Sequence, residues 1–313
     1  MLSLKTRYEY VSEWAKDSFS TFAKGGVVQY HRYKQQRPYN LLIMVDETDN
    51  ELMLKFSGKI LLDDYPRLIS QETIMLCFEE INRTGLIKVD GKAILEDSEV
   101  TACDVTKDVY LPGFAKVRRN IKQSRSSNDR WCAKAWINGG LSLEKVVTTR
   151  ECQQRLILYD KAKELRLKKN GMFLQMLHDR DSLEQYFTDK VRFEENIYTE
   201  EGIRDLLDVA DTRLTTVLAS KANPILTVFD EAVEIREYPG ATSKLNLRDA
   251  EHLAFMAACD YDMEQIEAKV RFHSSPKTHI KRAMEPYYRL MATLEADTGY
   301  DTESLRHVRS LLL

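Results

Sequence analysis

The stretch Leu156-Ile157-Leu158-Tyr159-Asp160-Lys161-Ala162-Lys163-Glu164-Leu165 opens apolar and turns abruptly charged. So short an apolar run, bounded by polar residues, reads as a buried strand. Downstream, Val191-Arg192-Phe193-Glu194-Glu195-Asn196-Ile197 alternates in part and reads as a second strand. Working outward, Val100 to Val105 is a third strand. Leu41 to Val45 and Leu52 to Phe56 form a hairpin across the turn-forming cluster Asp46 to Asn50. Trp131 to Trp136 and Leu141 to Val147 pair across Asn138-Gly139-Gly140. Val27 to His31 is a further strand after Gly25-Gly26. Helical spacing covers Tyr8 to Ala15, Gln71 to Arg83 and the basic segment Phe114 to Lys122.

From Glu200 onward the signals are almost all helical. They cover Glu200 to Val209, Arg248 to Cys259 behind a possible cap at Asn246, Asp262 to Val270, and Ile280 to Leu294 with an interruption at Pro286. A last helix starts at Asp301-Thr302. The pattern predicts an α+β fold over residues 1–210, with an antiparallel central sheet and flanking helices. A helical accessory domain over 211–313 follows.

With 313 residues, 43% apolar and 30% charged, the chain can build a real core in about two domains. Leu41 to Val45, the longest compact apolar stretch near the start, falls far short of the ~20 residues of a membrane helix. The first residues mix Lys5, Arg7, Glu9, Glu13, Lys16 and Asp17 with apolar positions, unlike a signal peptide. Five cysteines form no C-x-x-C, which argues against a disulfide scaffold or structural zinc and for a reducing cytoplasm. No P-loop, Rossmann, nucleophile-elbow or H-E-x-x-H motif occurs. Net charge is −3, yet residues 116–169 hold fifteen Lys/Arg against five Asp/Glu, an electrostatic footprint suited to a polyanion or simply a solvated basic face.

Asp104 lies inside an apolar strand with Asp108 four residues on. A carboxylate there needs a charge partner or a bound cation. Glu194 shares a strand face with Arg192. If the strand through Tyr159 continues, Lys161 joins Tyr159 on one face. A cation beside a phenol favours the phenolate and stabilises charge developing on a phosphate. Acidic residues on neighbouring strands suit Mg²⁺ or Mn²⁺. Each residue alone has a plainer account: core packing for Tyr159, a salt bridge for Asp104, surface charge for Glu194 with Arg192.

Taken in order, K-F-S-G-K (55–59), C-D-V-T-K-D (103–108), L-I-L-Y-D-K-A-K-E-L (156–165) and V-R-F-E (191–194) resemble the filamentous-phage gene II/X replication initiators and related rolling-circle plasmid initiators. The resemblance spans residues 40 to 210. It implies an HUH-like nuclease core and a metal-dependent enzyme that nicks and rejoins an origin through a 5′-phosphotyrosine link. Carried over by position, Tyr159 is the nucleophile, with Tyr198 in reserve. Lys161 is its neighbouring lysine, and Asp104, Glu164 and Glu194 are ligands for Mg²⁺ or Mn²⁺. Two positions depart from the family pattern. Ala102 stands where an arginine is expected, and the strand over 53–56 carries no His or Glu ligand, so either Glu51 or His31 supplies it or the metal site is weakened.

The expected partners are single-stranded or hairpin origin DNA and a host helicase, with no membrane. Arg118, Arg119, Lys122, Arg125, Arg130 and Lys134 are expected to hold the DNA backbone. Trp131 and Trp136 are candidates for base stacking or core. A non-catalytic DNA-binding replication or copy-control protein on the same fold is the alternative.

Overall fold

The computed structural model describes residues 1–124, 131–136, 139–145, 154–235, 247–259, 261–275, 279–297 and 302–313, with only the backbone at 293–297 and 302. Among the described residues there are twelve strands: β1 (Leu2–Arg7), β2 (Val11–Trp14), β3 (Ser20–Lys24), β4 (Val27–Gln35), β5 (Leu41–Asp46), β6 (Glu51–Phe56), β7 (Ile87–Val89), β8 (Glu99–Tyr110), β9 (Trp131–Ala135), β10 (Leu141–Lys145), β11 (Arg155–Asp160) and β12 (Lys190–Ile197). Ten of them make one antiparallel sheet in the order β3-β4-β5-β6-β1-β8-β12-β11-β10-β9. The other two, β2 and β7, pair separately. The fold is thus α+β around a large antiparallel sheet, as the succession of strand-like and helical segments in the sequence predicts.

The sheet has unequal faces because side chains alternate along each strand. Leu2 and Leu4, Leu41, Ile43 and Val45, and Leu52, Leu54 and Phe56 are buried on one face beneath the helices Ile74–Arg83, Gly91–Asp97, Glu200–Leu207 and Leu214–Ala219. On the same face of the other half, Val109, Leu141, Leu143, Leu156, Leu158, Val191 and Phe193 pack under the helices Phe114–Gln123, Pro224–Ala232 and Thr302–Leu312. A small third cluster, Tyr65, Leu165, Phe173, Leu174, Leu183 and Phe187, covers part of the second face.

The helical region therefore divides by contact. Ile225, Val228, Phe229, Leu305, Val308 and Leu312 belong to the sheet's core, whereas Met256, Cys259, Ile266, Met284, Leu290 and Met291 form a cluster of their own.

Three local expectations change. The amphipathic helix over Tyr8 to Ala15 is instead a single 3₁₀ turn, Tyr8–Tyr10, followed by β2. Tyr8 in that turn and Val11 and Trp14 in β2 all pack against the first core. Pro286 does not interrupt its helix, which runs Ile280–Asp297. The buried side chains of Met284, Leu290 and Met291 hold it on both sides of the proline. The strand through Tyr159 stops at Asp160, whose side chain caps the helix Lys161–Leu165 by accepting from the Lys163 N–H at 2.9 Å. The cap at Asn246 and the residue Asp301 lie outside the described residues.

Candidate active site

Three central strands place a polar grid on the second face. Register sets Tyr159 of β11 opposite Arg192 of β12, and Arg192 opposite Asp108 of β8. The next row on that face is Ile157, Glu194 and Thr106, and the third is Arg155, Asn196 and Asp104. Asp104 and Glu194 thus share a face on adjacent strands, offset by one row.

The grid is tightly bonded. The Arg192 guanidinium donates from Nε and Nη2 to both oxygens of Asp108 at 2.7 and 2.6 Å, and a further N–H reaches the Tyr65 hydroxyl. Both side chains of the pair are 3% exposed. Burial works against the Arg192 charge, but Tyr65 and Asp108 more than offset it and hold its pKa far above the ordinary value. The Tyr159 hydroxyl donates to Glu194 Oε1 at 2.7 Å. Asn196 donates to Asp104 Oδ1 at 2.8 Å and accepts from Arg155 at 2.9 and 3.0 Å. The amino group of Met1 donates to the other Asp104 oxygen at 2.9 Å.

Lys161 leaves the strand yet returns beneath Tyr159. Its ammonium lies 5.4 Å from the Tyr159 ring centre, 5.1 Å from Tyr65 and 5.8 Å from Phe187, an aromatic cage that stabilises a buried cation. Glu164 accepts from Lys161 at 2.6 Å, with Lys169 at 3.2 Å and Lys59 at 3.6 Å from its other oxygen. Burial opposes the Glu164 charge, but Lys161 and Lys59 overcome it and keep the carboxyl far below the usual range. Lys59 donates to Asn170 Oδ1 at 2.7 Å. Burial pulls the Lys59 ammonium down to about 8, assisted by Lys161, Lys169 and Arg192 and opposed by Glu164.

These groups surround a cavity of about 600 Å³ whose wall includes Tyr159, Glu194, Lys161, Lys59, Arg192 and Asp104. Its lining has five Lys/Arg, with Arg37 and Lys169, against three Asp/Glu. The cavity is therefore cationic and suits a phosphate ester. The Tyr159 phenol, however, is not acidified by Lys161. Burial and the nearby Glu194 carboxylate push its pKa well above the ordinary value, so the resting group is a neutral phenol hydrogen-bonded to a carboxylate.

Whether the acidic residues fit Mg²⁺ or Mn²⁺ follows from their partners. Glu164 is held by three lysines, Asp104 by Asn196 and an amino group, and Glu194 by Tyr159. Among the described residues no three His, Cys, Asp or Glu side chains are grouped to hold an ion. As folded, this donor set does not fit a divalent metal. Glu51 pairs with Lys5 and His31 contacts Thr21 and Trp14, and neither lines the cavity.

The expected DNA-contacting residues do not gather at the cavity. Arg118, Arg119 and Lys122 sit on the helix Phe114–Gln123, whose apolar side packs on the opposite sheet face, and Lys122 pairs with Asp262 at 3.3 Å. Lys134 on β9 bonds Glu144. Arg125 and Arg130 lie outside the described residues. Trp131 is core, 4% exposed. The sequence reading missed Lys59, Tyr65 and Lys169 as site residues and undervalued Arg192. The lysine closing K-F-S-G-K and the alternation of V-R-F-E were the available signals.

No protein-family model and no curated protein matches the chain. Among the described residues no helix is long and apolar enough to cross a membrane.

Proposed function

We propose that the chain initiates rolling-circle DNA replication on an HUH-like nuclease core. It would nick one origin strand and later rejoin it, with Tyr159 as nucleophile. The observation that carries this reading is the Tyr159–Glu194 hydrogen bond inside a cationic cavity. A neutral phenol needs a base, and a carboxylate at 2.7 Å is in position to be one.

The step balances without further reagents. The Tyr159 oxygen attacks the scissile phosphorus while its proton passes to Glu194. The bond from phosphorus to the 3′ oxygen breaks, and that oxygen takes a proton from the Lys59 ammonium, whose pKa near 8 suits a general acid. The product is a 5′-phosphotyrosine and a free 3′-OH, and the ester keeps the bond energy for rejoining. Lys161 is a positioning residue in this scheme: caged by aromatics and tied to Glu164, it fixes the floor under Tyr159. The helices over 247–292, with their own core, are the part of 211–313 that would serve as the accessory unit, for DNA or for a host helicase.

The test is covalent capture. Incubated with a single-stranded origin oligonucleotide in Mg²⁺ or Mn²⁺, the protein should give a protein–DNA adduct under denaturing conditions. Tyr159→Phe should abolish the adduct while Tyr198→Phe keeps it, and chelation by EDTA reads whether a metal is required. The poor fit of the carboxylates to a metal favours one other reading, a non-catalytic DNA-binding protein on this fold. The absence of any adduct from the wild type would select it.

A further inference from the structure

The face carrying Tyr159 continues across the N-terminal half of the sheet, where its side chains differ from those of the core. On β1, β5 and β6 the buried apolar residues point to the helical layer, and the second face presents Ser3, Lys5, Leu42, Met44, Met53 and Lys55. All but Ser3 are at least partly exposed.

One row across this face is distinctive. Lys34 of β4 is opposite Leu42 of β5, Leu42 opposite Lys55 of β6, Lys55 opposite Ser3 of β1, and Ser3 opposite Ala102 of β8. Tyr198, the residue after β12, continues the line and is 44% exposed. Arg155 closes it: its guanidinium donates to the Tyr198 hydroxyl at 2.6 Å and lies 6.0 Å from the ring centre. At about 4.8 Å per strand the row, from β4 to β11, is about 29 Å long.

The row has cations at both ends and no carboxylate within it. Lys34 and Lys55 make no ion pair among the described residues, whereas the acidic groups Glu51, Glu99 and Glu200 gather around Lys5 in the next row. Small side chains at Ser3 and Ala102 leave the middle shallow. Thr101 and Ala102 both face Ser3 where β8 bulges, and the Thr101 hydroxyl donates to Ser3 Oγ at 3.0 Å. The inner end, Arg155 and Asn196, lies two rows from Tyr159 on the same strands.

We propose that this row is a track for single-stranded DNA, leading the strand across the open sheet face to Tyr159. Lys34, Lys55 and Arg155 hold phosphates, and Tyr198 and Leu42 offer flat and apolar surface to unpaired bases. The occupant is a polyanion because Lys34 and Lys55 make no ion pair among the described residues and the row is free of acid. It is single-stranded because the bases must lie against the floor of the sheet, which a duplex keeps stacked inside. The track rests on the nicking function for its purpose, but not for its binding chemistry.

The experiment measures binding of an oligothymidylate of about 12 nucleotides by fluorescence anisotropy across a salt series, beside the adduct assay. Lys34→Ala/Lys55→Ala should weaken binding about tenfold and lower the salt slope by about 1.4, the loss of two phosphate contacts on a single strand. Lys88→Ala, a lysine on β7 outside the large sheet, should change neither. Circular dichroism and thermal melting confirm that both variants are folded. If the wild type forms the adduct but the double variant binds with unchanged affinity and slope, the track is wrong and the nicking function stands. If the wild type forms no adduct but the lysines still govern binding, the track stands and the nicking function falls. Equal or tighter binding of duplex through the same lysines overturns the single-strand assignment.

Discussion

Burial decides the protonation states that the reaction would use. Lys59, held near 8, must be protonated to supply the leaving oxygen with a proton. The rate of adduct formation should therefore fall as pH rises through about 8, and Lys59→Met should lower the rate and remove that limb of the pH profile. Glu194→Gln keeps the size but not the basicity of the residue paired with Tyr159, and should slow adduct formation by about 10²- to 10⁴-fold with DNA affinity little changed. Glu195, on the opposite face, is 0% exposed, and among the described residues no side chain bonds either of its carboxylate oxygens. Burial raises it to about 8, with Glu231 adding to the shift. The raised pKa favours the protonated acid in the fold. The resulting stability is fully present below the usual carboxylate range and is lost as pH climbs through about 8. Between those limits stability should fall by up to about 1.4 kcal/mol per pH unit. Thermal melts of the wild type should follow this slope, and Glu195→Gln should flatten it.

Within the elements, β8, β11 and β12 act as one rigid frame because their polar side chains bond across the strands. The Arg192–Asp108 pair is the strongest tie, buried on both sides and bidentate. Removing one partner strands the other charge in the interior, so Arg192→Met should destabilise the fold by about 3–5 kcal/mol in denaturant titration. Replacing both members with apolar residues of similar size should recover much of that loss. The helix Lys161–Leu165 shows the limit of extrapolating a strand. Alternation would carry Lys161 to the face of Tyr159, and the Asp160 cap bends the chain instead, yet the lysine still reaches the tyrosine from below.

Across the whole molecule, the core does not end near residue 210. Leu305, Val308 and Leu312 are fully buried, and the helix that carries them packs on the sheet beside Ile225, Val228 and Phe229. Truncation after residue 214 should thus expose the second core and give an aggregating or unfolded chain, and Leu305→Ala should cost about 2–5 kcal/mol. Substitutions that disrupt the separate cluster, such as Ile266→Ala, should leave the main melting transition in place and alter a smaller one. Differential scanning calorimetry distinguishes the two cases.

By itself the sequence determined most of the sheet and which strands bear the candidate site. The apolar, β-branched composition of 41–56 and 100–105, the partial alternation over 191–197 and the short apolar run before Tyr159 are local patterns that favour a strand whatever the partner. It also singled out Tyr159, Lys161 and Glu194, which lie close in sequence to those signals. Only the tertiary structure decided what each charge faces. Glu164 belongs to Lys161, Lys59 and Lys169, and Lys59 comes from a segment far away in the chain. The basic helix at 114–123 lies behind the sheet, because its apolar side must be buried against Val109 and Phe193. Charge pairing and protonation depend on distances and burial through space, and residue spacing along a chain does not encode them.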